Sequence, residues 1–184
     1  MSIESEGKVD LSNSSLAARM ALLKSFSGKS DTESVDSVIE IMGDSEWQVR
    51  KEAVAVLSQV DRKSEVAERL IKRIAANDNV GRRNAATDLF VLWGKSSIPP
   101  LLAYLKTVNE DTQKVIIDVL GDIRDPRAIP VLLTDILGEG SLEQASPDFA
   151  DNLRASALEA LGKIRTTEAV EQILPFLTRP NHLI

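Results

Sequence analysis

One apolar position recurs along this chain at a nearly constant interval, and that interval limits the fold more than any other feature. Phe26, Leu57, Leu89, Leu120 and Leu161 stand 31, 32, 31 and 41 residues apart. The last two copies align without a gap: Leu120-Gly121-Asp122-Ile123-Arg124-Asp125-Pro126-Arg127-Ala128-Ile129 against Leu161-Gly162-Lys163-Ile164-Arg165-Thr166-Thr167-Glu168-Ala169-Val170. Three further rows keep the same register. Arg19, Arg50, Arg82, Gln113 and Arg154 precede the Leu row by seven residues. Val35, Val66, Ile98, Ile129 and Val170 follow it by nine, and Ile39, Leu70, Leu102, Leu133 and Leu174 by thirteen. Apolar rows held at such a period describe units that can each bury one face only against their neighbours.

Within a unit the spacing is helical. Val49, Ala53, Val54, Val56, Leu57 and Val60 mark one face of a first helix; Val66, Leu70, Ile71 and Ile74 mark a second. Ile129, Leu132, Leu133 and Ile136 repeat the second pattern two units later. No stretch alternates at period two for long enough to make a strand. Each unit therefore reads as a helical hairpin. Asp44-Ser45, Asn77-Asp78-Asn79 and Asn109 stand where side-chain oxygens can cap first helices. Asp125-Pro126 opens a second helix, with proline where a missing N–H costs nothing. Gly121 and Gly162 fall near first-helix ends, and the recurring Ala53, Ala85 and Ala157 allow backbones to come close. The long last step places extra residues between Gly138 and Phe149, and Ser146-Pro147-Asp148 looks like a helix start. Residues 138–145 are then an exposed loop, either a functional edge or a neutral insertion.

The strings Val49-Arg50, Leu153-Arg154, Ala160-Leu161-Gly162-Lys163-Ile164 and Leu120-Gly121-Asp122-Ile123-Arg124-Asp125-Pro126-Arg127-Ala128-Ile129-Pro130 resemble the HEAT repeat, and more narrowly the HEAT-like repeats of phycobiliprotein lyases. The resemblance covers about residues 12–178; Gly81-Arg82 and Trp93-Gly94 depart from it. It implies an all-α fold, a right-handed α-α superhelix of the HEAT/armadillo-like solenoid type with five helical hairpins. First helices would lie on the convex side and second helices on the concave side. The expected organisation is an N-terminal tail 1–11 and a single solenoid 12–179, with a C-terminal tail 180–184. Its units fall at about 12–43, 44–76, 77–107, 108–138 and 146–179, with the loop 138–145 inserted.

Composition narrows the chemistry. The chain has no cysteine, which removes disulfides, thiolate metal sites and a cysteine nucleophile. Its single histidine, His182, stands three residues from the end with no second histidine beside it. No catalytic, cofactor or metal residues are assigned. Gly28-Lys29-Ser30 matches only the end of a phosphate loop and reads as a turn. The formal charge of −6 argues against nucleic acid as a partner, and against a DNA glycosylase on HEAT-like repeats. The basic residues between 62 and 83 read as a solvated helix face. The Arg row reads as bridges between adjacent units, using the planar donor fork, rather than as a phosphate stripe. No apolar run is long enough to span a membrane. The acidic start Met1-Ser2-Ile3-Glu4-Ser5-Glu6 is no signal peptide, so the expected location is cytoplasmic.

What remains is surface. Counting from the Val35 row, positions 0, +3, +4 and +7 form the core, and positions +2 and +6 face the groove. The +2 row is Ser37, Glu68, Pro100, Val131 and Gln172; the +6 row is Ile41, Lys72, Tyr104, Asp135 and Phe176. This mixture of apolar anchors and charges suits a protein or peptide partner. Lys72, Tyr104, Asp135, Glu68 and Gln172 are the expected contacts, with Tyr104, the chain's one tyrosine, as anchor. The leading expectation is a non-catalytic interaction scaffold or adaptor, not an enzyme, that binds its partner in the concave groove. The alternative, implied by the resemblance, is a subunit of a bilin lyase or isomerase of the phycobiliprotein type, whose HEAT-like subunits act in pairs.

Overall fold

The computed structural model describes residues 14–76, 79–138, 140–143, 145–165 and 174. Among the described residues there is helix and no strand. The helices are α1 (Leu16–Ser25), α2 (Thr32–Ile41), α3 (Trp47–Ser58), α4 (Lys63–Ala76), α5 (Val80–Trp93), α6 (Ile98–Tyr104), α7 (Glu110–Ile123), α8 (Ile129–Val131) and α9 (Pro147–Ile164). A 3₁₀ turn precedes α6 at Gly94–Ser96 and another precedes α8 at Pro126–Ala128. A π-helical turn, Leu132–Ile136, extends α8. First and second helices alternate as the repeat requires, and the fold is an all-α helical repeat solenoid. The second helix of the fifth hairpin lies outside the described residues. The chain divides into two compact units, residues 1–89 and 90–184.

In the first unit α3 packs against both α1 and α2, and α2 packs on α4. The Val rows and Leu57 fill the space between them: Val35, Val49, Val66, Leu57 and Leu70 are all buried. Phe26, which opens the Leu row, is only half-buried. Polar side chains fix the helix ends. Ser15 and Asp31 cap α1 and α2 by accepting from Ala18 N (3.2 Å) and Ser34 N (2.9 Å). Asn79 Oδ1 accepts from Arg82 N at 2.8 Å and so caps α5. The cap expected of Asp44-Ser45 takes another form. Glu46 holds the N-cap position without a side-chain bond, and Asp44 Oδ1 accepts from its N–H at 2.8 Å. The same carboxylate receives Arg19 Nη1 at 2.7 Å.

The Arg row performs this bridging in the first unit. Arg19 ties α1 to the Asp44 turn, and Arg50 Nη1 donates to the carbonyls of Asp44 and Ser45, both at 2.8 Å. Arg82 is buried and donates to the carbonyls of Ile39 and Glu40, both at 3.1 Å, which closes the unpaired end of α2. Burial pulls the Arg82 pKa down, and the Glu40 carboxylate, shared with Arg73, opposes that pull. Its Nη1 atom is buried without a hydrogen-bond partner. In the second unit, among the described residues, the partner of Arg154 is Asp151 on its own helix, at 3.2 Å.

The second unit is organised about α7 and α9, the first helices of adjacent hairpins, which form the most extensive helix contact among its described residues. Leu120, Leu161, Ile116, Ile117, Leu153 and Ala157 are all fully buried. Gly121 makes the close approach possible. A Cβ placed on it would lie 2.7 Å from Ala160 Cα and 2.8 Å from Ala160 Cβ. Lys163 staples the same seam, reaching Asp122 at 3.0 Å and Glu159 at 2.9 Å. Asn109 caps α7 through Thr112 N at 3.0 Å. As expected, α9 begins with proline at its first turn and Ser146 at the N-cap, though no side-chain cap bond forms.

The second helices of this unit keep the expected core positions 0, +3 and +7 (Ile98, Leu101 and Leu105; Ile129, Leu132 and Ile136) and depart only at +4. Leu101 and Leu132 are buried, whereas the row members Leu102 and Leu133 are half-buried. The assignment of rows +2 and +6 to an outward face is corrected at two positions. Ile41 is 4% exposed, and Pro100 is buried as well. Both pack inward because each ends or starts a short helix whose apolar arc is wider than four positions in seven.

Candidate functional site

The expected contact residues fall in both units. Glu68 and Lys72 are exposed, one turn apart on α4. Tyr104, half-buried, ends α6. Asp135 lies in the π-helical turn, where its carboxylate takes Lys106 Nζ at 2.7 Å and the Thr134 hydroxyl at 3.2 Å. That ion pair joins the exit of α6, just beyond Tyr104, to the end of the next second helix. Gln172 lies outside the described residues.

The described residues of the inserted loop make tight turns. The Ser141 hydroxyl donates to the carbonyls of Ile136 (2.9 Å) and Gly138 (2.8 Å), and Gly140 takes a positive φ of 77°. With the start of α7 it frames an open cleft of about 420 Å³, lined among others by Asn109, Glu110, Gln113, Leu142, Glu143 and Phe149.

A third place was missed by the sequence reading: in the second unit, the turns that follow the first helices. Four residues at such turns have positive φ: Gly28 at 77°, Gly94 at 56°, Arg124 at 58° and Arg165 at 50°. Arg124 and Arg165 end α7 and α9 in the left-handed conformation, each N–H bonded back to the Leu row, at Leu120 O (3.2 Å) and Leu161 O (3.3 Å). Glycine is the ordinary residue for this cap, because a Cβ is disfavoured there.

The turn after α7 also holds a charge clamp. Arg127 Nε and Nη2 grip the buried Asp125 carboxylate at 2.9 and 3.0 Å, and Nη2 also donates to Lys95 O at 3.1 Å. The paired guanidinium holds the Asp125 carboxyl down to about 2. Lys95, Ser96, Asp125, Pro126 and Arg127 line an open concavity of about 530 Å³ beside it. Among the described residues, neither the Arg124 nor the Arg165 guanidinium has a hydrogen bond or ion pair. Also among the described residues, no group of three or more acidic or histidine side chains is placed to hold a metal ion, and no helix is long and apolar enough to cross a membrane.

Comparison with known proteins agrees with the repeat. The HEAT repeats model matches residues 11–90, and the PBS lyase HEAT-like repeat model matches residues 153–179. The phycocyanobilin lyase subunit beta of Thermosynechococcus vestitus is 31% identical over 115 residues, which cover 62% of this chain and 49% of that protein. The chain thus matches about half the length of that relative. No solved structure matches. The relative and the lyase-type repeat overturn the expectation that the chain is not an enzyme, and point toward a lyase. Zero cysteine and one terminal histidine misled there, because they describe one chain and a lyase can divide its groups among several. The chain is a HEAT-like repeat protein, with repeats of the phycobiliprotein-lyase type.

Proposed function

We propose that the chain is one subunit of a bilin lyase of the phycobiliprotein type, in which its helical repeats hold a partner subunit and present the bilin. The observation that carries this reading is the 31% identity over 115 residues to a phycocyanobilin lyase subunit. The lyase-type repeat at residues 153–179 supports it through a different part of the comparison. Stacked helical repeats are a common platform for protein partners, since each unit adds surface without disturbing the others.

With no cysteine in this chain, any thiol in the reaction belongs to another protein. The chain's share of catalysis is then placement. Holding two reactants in a productive geometry removes entropy from the barrier, and well-oriented pairs reach effective molarities that no dilute encounter matches. The contacts proposed for the partner subunit are Glu68 and Lys72 on α4, Tyr104 on α6, Asp135 and Gln172. Tyr104 is the anchor, and the charged residues set register and association rate.

Co-expression tests the reading. The chain is produced with each HEAT-like subunit of a phycobilin lyase and passed over a sizing column. A stable complex with one of them is expected, with Tyr104→Ala weakening it by about 2 kcal/mol or more. Elution of the chain alone in every combination would overturn the proposal.

A further inference from the structure

We propose, independently of the lyase reading, that the starts of α1, α3 and α5 form a docking surface for a second copy of this chain, with Trp47 at its centre.

Leu16, Trp47 and Val80 each occupy the first position of a first helix, and all three belong to the first unit. A helix start favours acidic side chains, because the unpaired N–H groups of the first turn carry partial positive charge. The first helices of the second unit follow this preference, with Glu110 and Asp111 on α7 and Asp148 on α9. In α1, α3 and α5 the first turn holds no acidic residue. It carries instead a leucine 40% exposed, a tryptophan 58% exposed and a valine 60% exposed. Each gives up a favourable contact with the helix dipole and keeps apolar surface in water. A chain that stayed alone would gain from neither.

Bridges between the hairpins set the three side by side. Arg19, one turn after Leu16, reaches Asp44 in the turn before Trp47 at 2.7 Å, and α1 packs on α3. Arg50, one turn after Trp47, lies against Gly81, the neighbour of Val80. A Cβ placed on Gly81 would be 3.0 Å from Arg50 Cδ. The order across the surface is therefore Leu16, Trp47, Val80, with the largest side chain in the middle.

This order fits a twofold pairing, in which one patch meets itself. An axis through Trp47 sets indole against indole and Leu16 of each copy against Val80 of the other. The charges at the centre are self-complementary in the same arrangement. Glu46 precedes Trp47, and Lys51 lies one turn beyond it on α3. Both are exposed, and among the described residues neither side chain has an ion pair. The axis reverses α3 against its copy, which brings Glu46 of each chain to Lys51 of the other. Arg19 is already engaged by Asp44, and Arg50 by the carbonyls of Asp44 and Ser45. Opposite charges on the two sides of one tryptophan match a reversed copy of themselves, whereas a partner of single charge would oppose one of them.

The area sets the strength. The exposed parts of the three side chains amount to roughly 300 Å², a patch of the size that marks interaction sites. Two such rows with their rims reach on the order of 1,000 Å², the range of weak, reversible pairs.

Sedimentation velocity of the full chain from about 1 to 500 µM tests the pairing. A shift from one chain to two is expected within that range, with a dissociation constant on the order of tens of micromolar. Trp93 is buried, so acrylamide quenches mainly Trp47 in the single chain, and that quenching should fall as pairs form. Trp47→Lys puts two like charges on the axis and should weaken pairing at least about tenfold. The dilute variant should melt as wild type does, because the replaced side chain is exposed. Glu46→Lys should weaken pairing, and Glu46→Lys combined with Lys51→Glu should restore it. Single chains throughout the range would overturn the proposal, as would pairs that survive Trp47→Lys. A double variant as weak as Glu46→Lys alone would overturn the twofold register. Shielding of Trp47 by a co-eluting lyase subunit, with the chain alone staying single, would give the surface to that subunit and overturn the second copy as its occupant.

Discussion

Gly121 and Gly162 occupy the same position one repeat apart, yet alanine should act on them in opposite directions. At Gly121 the new methyl would lie 2.7 Å from Ala160 Cα and 2.8 Å from its Cβ, where ordinary contact starts at 3.4 Å. Neither atom can rotate away, so α7 and α9 must separate locally by roughly 0.7 Å along a seam that is otherwise closed. Overpacking of this kind costs about 1–3 kcal/mol. Replacing glycine within a helix returns about 0.5–1 kcal/mol. Taken at the middle of both ranges, the net is a destabilisation of about 1 kcal/mol, or a fall in Tm of about 2–5 °C for a chain of this size. At Gly162 no atom of the described residues lies within 4 Å of the added Cβ. Only the helix-propensity gain remains there, and Gly162→Ala should stabilise by about 0.5–1 kcal/mol. Urea and thermal melts of the two variants, run beside wild type, read both signs. A Gly121→Ala variant as stable as wild type, or a shift of both variants in the same direction, would refute the packing described for α7 and α9.

Other outcomes follow from the same structure. Leu120→Ala or Leu161→Ala, each removing a fully buried side chain, should cost about 2–5 kcal/mol in denaturant melts; unchanged midpoints would show that the Leu row is not core. Arg82→Ala should cost at least about 1–3 kcal/mol by stranding the Ile39 and Glu40 carbonyls, and faster amide exchange at the end of α2 would locate the damage there. The Asp125 carboxyl ionises more readily in the folded chain, at about 2 against 3.8 unfolded, because Arg127 bonds to it. The stability it contributes is therefore complete above about pH 4 and is lost as the pH falls toward 2. Asp125→Asn should flatten that part of the stability profile, and a variant with the wild-type acid slope would assign the loss to other groups.

The parts of the fold that depend on apolar period were legible in the sequence. Leu57, Leu89, Leu120 and Leu161 are buried as the repeat demanded, and the Val35 row is buried at Val35, Val66, Ile98 and Ile129. Legibility failed where backbone geometry changed without a change in residue pattern. In the second helices of the second unit positions 0, +3 and +7 are buried as read, and only the +4 leucines, Leu102 and Leu133, come out half-buried. The π-helical turn at Leu132–Ile136 has no residue signature, since one added residue per turn leaves composition untouched. Arg124 and Arg165 were aligned in the first comparison of repeats, but their left-handed backbone could not be read from arginine. The likeness of Gly121 to Gly162 was visible, whereas the contact with Ala160 that separates them depends on which helix has a neighbour on that side. Function was least legible, because the chain has no cysteine and one histidine, and a repeat pattern names no partner.

The central claim is that this chain is a working part of a bilin lyase, and a drop-out reconstitution addresses it most directly. The chain, its co-eluting subunit, a bilin-free phycobiliprotein and phycocyanobilin are combined, and bilin that stays on the protein after acid denaturation is measured. Covalent bilin should accumulate with both subunits present and fall to the uncatalysed level when this chain is withheld. Attachment at the same rate and with the same product spectrum in its absence would contradict the claim.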